Sequence, residues 1–516
     1  MTSLVNALLD PRAWPVSVAR VEHIETHISH VFLVGAFAYK VKKAVDLGFL
    51  NFSTLEKRRF YCGEELRLNR RTAPELYLAR VPIARLSDGT YAVEGEGEVV
   101  EYAVKMRRFD PAGQLDRMQL EFRHMDALAD TVAAFHAALE PATREASWGE
   151  PERVWSPMGQ NFDQILSLPR FVWARARLEK VKAASRAAFE ALRPRLAARK
   201  AGGWIRECHG DLHLGNIAWV EGKMLLFDAI EFDPDLRWID VANDVAFLLM
   251  DLEGRGLSRL GWRFLNRYLE WTGDFEAVAL LPFYQSYRAM VRAKVAAIRC
   301  AQQGETEAAE ASKAAFESHM ALAEAFLEPA AKRPVLIITH GVSGSGKSRL
   351  ARRLAQEMGW IHLRSDVERK RLFGLAPDAD SGSAVEAGIY TPEATRRTYE
   401  RLAELAESLL SDGRSLVVDA TFLESGQRTA FRRLAERAGA RFRILSCTAP
   451  EPVLRRRVAE RAERGGDPSE ADLAVLARQL ERARPLDETE RAVAVVVDTT
   501  QALDTARIGR RLSRER

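Results

Sequence analysis

Gly341-Val342-Ser343-Gly344-Ser345-Gly346-Lys347-Ser348 spells the pattern G-x-x-x-x-G-K-[ST], and its flanks agree with it. The apolar run Val335-Leu336-Ile337-Ile338 leads in as a buried strand. A helical pattern leads out, with Leu350, Leu354 and Met358 on one face. Glycines at 341, 344 and 346 let the backbone curl so that successive N–H groups, Ser345 among them, point into one concavity at a helix N-terminus. Such a loop holds the phosphates of a nucleoside triphosphate. Lys347 reaches the β- and γ-phosphates, and the Ser348 hydroxyl completes a Mg²⁺ shell.

The loop begins two-thirds of the way along 516 residues, so a substantial domain precedes it. Hydrophobic residues make up 47% and charged residues 29%, the balance of a globular protein. With 76 basic and 72 acidic residues the net charge is only +4, which demands neither nucleic acid nor an anionic membrane as a partner. Cys62, Cys208, Cys300 and Cys447 show no C-x-x-C spacing and suggest neither a zinc motif nor a disulfide framework. No apolar run reaches transmembrane length, and the first residues lack a basic segment. The expectation is a reduced, cytoplasmic enzyme with no membrane partner.

In the first half, Val31–Gly35 and Ala38–Lys42 read as a hairpin and Arg58–Arg71 as a helix. Val81, Ile83 and Tyr102–Met106 read as further strands. Lys40 and Lys42 share one strand face, and Glu64 or Glu65 on the helix would steady a phosphate-binding lysine. Residues 115–139 read as helical, with His136 packing or capping rather than reacting.

The second informative stretch is His209-Gly210-Asp211-Leu212-His213-Leu214-Gly215-Asn216. A hairpin follows, Ile217–Val220 and Met224–Phe227, which returns Asp228 to the same place. Phosphoryl transfer to an alcohol needs a carboxylate to orient the hydroxyl and accept its proton, and oxygen ligands for Mg²⁺. Asp211 suits the first role; Asn216 and Asp228 suit the second. His209 and His213 are spaced like a metal pair, but the loop favours backbone-organising roles. Asp240 would cap the apolar helix through Val241, Val245 and Leu248.

This octet resembles the catalytic loop of the aminoglycoside phosphotransferase and choline kinase branch of the protein-kinase-like fold, in which H-G-D replaces H-R-D. The resemblance runs from about Val21 to Cys300. It implies Asp228 as the metal-binding Asp, Lys40 as the nucleotide lysine and Glu64, or its neighbour Glu65, as the ion-pair partner. No G-x-G-x-x-G precedes Lys40.

Residues from about Gln302 to Lys332 read as an Ala/Glu-rich helical linker ending at Arg333-Pro334. Beyond it strands alternate with helices: Trp360–Leu363, Thr395–Leu410, Leu416–Asp419, Phe442–Leu445 and Val493–Val497. Such alternation implies a parallel sheet with crossover helices. Asp419 closes an apolar strand, where it can organise Mg²⁺. Asp366 follows the strand after the loop helix and suits a general base, or else an N-cap for Val367–Leu372. Arg457, Arg461 and Arg464 share a helical face that can close over a triphosphate. Ser469–Asp472 reads as a capping box, and the arginines from Arg507 to Arg516 as a frayed, solvated end.

The second half resembles the small P-loop kinase group of zeta toxins, gluconate kinase and the kinase module of polynucleotide kinases; a broader grouping would be the AAA-family ATPases. The expected architecture is therefore two α/β or α+β domains. A protein-kinase-like, aminoglycoside-phosphotransferase-type domain spans 1–300, a helical linker 301–332, and a P-loop domain with a parallel sheet 333–516. The expected activity is Mg·ATP-dependent transfer of the γ-phosphate to a hydroxyl of a small molecule. Alternatives are that one domain regulates the other, or that the P-loop domain phosphorylates a nucleic-acid 5′-OH.

Overall fold

A computed structural model describes residues 2–46, 50–329, 333–382, 388–464 and 468–514. Lys332, the side chain of Arg464 and Arg516 lie outside the described residues or atoms. The chain divides into two compact units. The first comprises 1–120, 134–254 and 282–327; the second comprises 121–133, 255–281 and 328–516. No described helix is long and apolar enough to cross a membrane.

The first unit opens with an antiparallel six-stranded sheet, ordered Glu22–Glu25, Ser29–Val34, Phe37–Lys42, Glu98–Arg107, Tyr77–Arg85, Tyr91–Val93. The expected hairpin forms with Val34 opposite Phe37, and Gly35 takes a φ of 57° in its two-residue turn. Alternation along Phe37–Lys42 sorts the side chains. Tyr39 and Val41 join a core with Phe32, Ile83 and Trp14, while Lys40 and Lys42 face the other way. The helix Leu55–Asn69 packs on that second face, started by Thr54, whose hydroxyl accepts from Lys57 N.

Two expectations for this unit need correction. The helix placed over 115–139 spans only Phe122–Ala138, because the backbone of Leu115 instead donates to Ile217 O in a strand-like bridge. The supposed linker is core. Helices Leu281–Gln302 and Glu307–Leu327 flank a short break, and Phe316, Met320 and Ala323 are buried against Phe171, Met290 and Ala297. The Ala/Glu richness of that stretch belongs to the exposed face of a packed helix.

The second unit holds a five-stranded parallel sheet ordered Ile361–Arg364, Leu416–Asp419, Val335–His340, Arg441–Thr448, Ala494–Asp498. Val335, Ile337, Val417, Leu445 and Val495 pack beneath Leu350 and Leu354 of the helix Lys347–Met358. Arg507, Arg510 and Arg511 do not lie in a frayed end. Thr505–Ser513 is a helix whose Ile508 and Leu512 sit in this core, leaving the arginines on the outer face.

The helix Ser258–Thr272, in the stretch that the sequence assigns to the first domain, is part of this second unit. Asn266 clamps the edge strand: its Oδ1 accepts from His362 N at 2.8 Å and its Nδ2 donates to Trp360 O at 3.1 Å. Arg371 donates to Glu270 O and Trp271 O at the end of the same helix. A sheet edge otherwise open to pairing is thereby covered.

Candidate active sites

In the first unit, Lys40 Nζ lies 2.5 Å from Asp228 Oδ1 and 2.9 Å from Glu65 Oε1. Burial opposes the lysine's charge, but the two carboxylates outweigh it and hold the Lys40 pKa well above its ordinary value. Glu64 is not the partner. It bonds Arg67 and Arg237, because successive helical residues point about 100° apart and only Glu65 faces the strand. Lys42, fully buried, bridges Glu65 and Glu231 behind the site.

The catalytic-loop stretch is held by groups that carry no motif. Asp244 accepts from His209 N at 3.0 Å and Gly210 N at 2.9 Å, and His136 Nε2 stands 3.3 Å from its Oδ2. Arg288 donates to Gly210 O at 2.8 Å. Gly210 has φ +83°, and a Cβ there would meet Leu236 O at 2.8 Å, which explains why this position is glycine. His209 donates through Nε2 to Phe227 O, and its Nδ1 accepts from Asp211 N. Burial lowers its pKa, so the ring is neutral. His213 Nδ1 accepts from Gly215 N, which leaves Nε2–H 3.4 Å from Asp211 Oδ2. Both histidines thus organise the loop, as read from sequence.

Burial raises the Asp211 carboxyl, yet its interactions with His213 and Arg288 outweigh it and keep the pKa far below the usual carboxylate range. Asp211 is therefore a charged acceptor. Asn216 Nδ2 donates to Asp211 Oδ2 at 2.9 Å, which turns Asn216 Oδ1 away from it. Asp228 takes φ +62°, rare for a side-chain-bearing residue, and its N–H donates to Tyr77 Oη. Asn216 Oδ1 and the Asp228 carboxylate are hard oxygen donors of the kind Mg²⁺ takes, so the residues fit that ion.

In the second unit, Gly341, Gly344 and Gly346 all have positive φ. A Cβ at Gly341 would meet Cys447 O at 2.5 Å, and one at Gly344 would meet Leu454 O at 2.7 Å. Gly346 precedes the helix that begins at Lys347. Ser343 N donates to the Gln479 side chain, while the buried Ser345 hydroxyl has no hydrogen-bond partner among the described residues. Asp419 is 4% exposed, bonded by Thr339 Oγ1 at 3.4 Å and His362 Nε2 at 3.3 Å. Against the cost of burial, His362 and Lys347 keep its pKa far below the usual range. Ser348 and Asp419 supply oxygen donors that fit Mg²⁺.

Lys347 and Ser348 line two cavities. One, of about 620 Å³, also receives Arg457 and Arg461. The other, of about 810 Å³, receives Asp366, Asp419 and Arg369. Arg457 donates to Gly344 O and to Thr499 O and Oγ1, tying the phosphate loop to the end of the last strand. Arg461 donates to Ala471 O. Asp366 sits in the first turn of Ser365–Leu372 but does not cap it, since the N-cap position belongs to Arg364. The capping box at Ser469–Asp472 is not formed: Asp472 caps Leu473–Arg482 alone, and Glu470 turns to Lys370 and Ser381.

Asp244, Tyr77, His362 and Thr499 escaped the sequence reading. Only His362 left a trace there, a polar residue inside an otherwise apolar strand.

Residues 61–281 match the model of the phosphotransferase enzyme family, and residues 336–486 match that of an AAA domain. Among solved structures, an aminoglycoside 2′-phosphotransferase bound to GDP is 14% identical, covering 61% of this chain and 95% of its own, with TM-score 0.37. A gluconokinase from Sinorhizobium meliloti is 23% identical, covering 35% of this chain and 91% of its own, with TM-score 0.25. Uncharacterized proteins of Mycobacterium tuberculosis and Mycobacterium bovis are 31% identical over 460 residues, spanning 88% of this chain and 89% of theirs. The chain belongs to the family of these mycobacterial proteins, and with its kinase-like first half and P-loop second half it is a phosphotransferase of the kinase type.

Proposed function

We propose that each unit is a Mg·ATP-dependent phosphotransferase acting on a hydroxyl of a small molecule. The observation that carries this reading is duplicated geometry. Each unit pairs a phosphate-holding lysine with a carboxylate acceptor and separate oxygen donors for a metal.

In the first unit Lys40, steadied by Glu65, holds nucleotide phosphates, and Asn216 with Asp228 would hold Mg²⁺. Asp211 orients the acceptor hydroxyl. As the acceptor oxygen bonds the γ-phosphorus, the bond to the β–γ bridging oxygen breaks and the hydroxyl proton passes to the Asp211 carboxylate. In the second unit Lys347 and the loop N–H groups hold the phosphates, and Ser348 with Asp419 would hold Mg²⁺. Asp366, in the cavity of about 810 Å³, orients the acceptor there and takes its proton. Arg457 and Arg461 face the nucleotide side and offset negative charge during transfer. Mg²⁺ in either site supplies charge neutralisation of the phosphates.

The test is product mass analysis with Mg·ATP and a pooled small-metabolite extract, comparing wild type with Asp211→Asn and Lys347→Ala. Loss of a different phosphorylated product in each variant is expected. A variant that loses no product while its unit still binds ATP would make that unit a regulatory nucleotide sensor instead.

A further inference from the structure

The cavity of about 620 Å³ beside Lys347 runs on past the phosphate loop, along the helix Lys347–Met358. Its walls carry eight lysine or arginine side chains against three carboxylates. Several of these cations are matched. Arg263 bonds Asp126, Arg267 Nε donates to Asp130 at 2.7 Å, and Arg364 stands 3.5 Å from Glu270.

Arg352 is not matched: among the described residues it makes no hydrogen bond and no ion pair. It lies five residues beyond Lys347, about 7 Å further along the helix axis. Burial, then the nearby Arg364 and Arg263 charges, pull its pKa below the ordinary arginine value, with Glu270 and Asp126 offsetting only part of that. A guanidinium does not shed its proton in a protein. Like charges gathered around an open cavity therefore repel one another until an anion joins them. Nucleotide phosphates cradled by the loop N–H groups and Lys347 do not need this second cluster.

We propose that the arginine-walled end of this cavity is a second anion site, which takes the phosphoryl group of a small molecule beside the nucleotide. Arg352 supplies the unpaired guanidinium fork, whose planar donors match two oxygens of a tetrahedral oxyanion. Arg364 and Arg263 add charge from the neighbouring strand and helix. Inorganic phosphate and a phosphate monoester share this chemistry.

The experiment uses the full chain with its nucleotide sites filled by a non-hydrolysable ATP analogue and Mg²⁺. Inorganic phosphate in one arm and glucose 6-phosphate in the other are titrated calorimetrically into wild type, Arg352→Gln and Arg352→Lys. Binding in at least one arm is expected, and the arm that binds names the source of the phosphoryl group. Arg352→Gln weakens that binding at least tenfold while analogue affinity stays within twofold. Arg352→Lys, which keeps the charge and loses the fork, weakens it by a smaller factor and guards against a folding defect in the Gln variant. The proposal is overturned by absence of binding in both arms, by displacement of the analogue, or by binding that survives both Arg352 substitutions.

Discussion

Lys40 and Glu65 meet at 2.9 Å between a strand and a helix, and Glu65 simultaneously holds Lys42 at 2.6 Å. One fully buried carboxylate thus serves two lysines, of which only Lys40 reaches the site. Removing it leaves Lys40 with Asp228 alone and Lys42 with Glu231 alone, and breaking a buried pair costs about 3–5 kcal/mol. Glu65→Gln is expected to lower the melting temperature and abolish the first product. Glu64→Gln, which loses partly exposed contacts to Arg67 and Arg237, should change first-unit turnover less than about threefold. Equal losses in the two variants would refute the assignment of Glu65.

Asp244 holds the loop that carries Asp211 through two backbone N–H groups. Asp244→Ala leaves those donors buried and unpaired, at about 1–3 kcal/mol each. A loss of several kcal/mol in urea denaturation is expected, with kcat of the first unit falling more than the ATP KM rises. Gly210→Ala should act in the same direction, because its Cβ meets Leu236 O. Unchanged kcat in a folded Asp244→Ala protein would remove Asp244 from the positioning role.

The fold keeps His209 neutral, since burial lowers its pKa from the ordinary 6.5. The unfolded chain then binds a proton that the folded chain refuses. The His209 contribution is fully present above about pH 6.5, declines as pH falls, and levels off below the folded pKa. Within that window the slope is up to about 1.4 kcal/mol per pH unit. Denaturation series from pH 8 to pH 5 should show a shallower decline in His209→Asn than in wild type. A parallel decline would refute the prediction.

The parts legible in sequence are those where chemistry and spacing are local. Gly341–Ser348 and His209–Asn216 are each eight consecutive residues, and the alternation of strands after Val335 fixes a parallel sheet. What was not legible depends on distant partners. Glu64 and Glu65 are equivalent until the strand chooses a face. Asp244 is indistinguishable from any helix-start carboxylate until the backbone of Gly210 is brought to it. The helix Glu307–Leu327 reads as a linker because the alanines and glutamates of its exposed face mask the widely spaced Phe316 and Met320 that anchor its buried face.

Cys62 and Cys447 are buried, and desolvation pushes both thiols up to about 12. Cys208 is raised further by burial and by Asp244 and Asp240. Thiolate is the reactive form, so these three resist alkylation while the fold is intact. Iodoacetamide at pH 8 should label them only in denaturant, as read by peptide mass. Rapid labelling of Cys62 in the folded protein would contradict its place on the buried face of the helix Leu55–Asn69.

The placement of Ser258–Thr272 in the second unit makes a prediction about fragments. A chain beginning at Arg333 contains the phosphate loop Gly341–Ser348, Asp366 and Asp419, the parts that sequence reading assigns to a complete domain. It lacks Asn266, whose side chain bonds both Trp360 O and His362 N, and Glu270, which pairs with Arg364. His362 in turn bonds Asp419, so the edge strand and the proposed metal carboxylate lose support together. The fragment is expected to aggregate or melt well below the intact protein, through its exposed strand edge. In the full chain, Asn266→Ala should cost about 1–3 kcal/mol and weaken second-unit turnover, with the first product unaffected. A soluble 333–516 fragment that melts like the intact chain and retains full turnover would show that the sheet edge needs no cover.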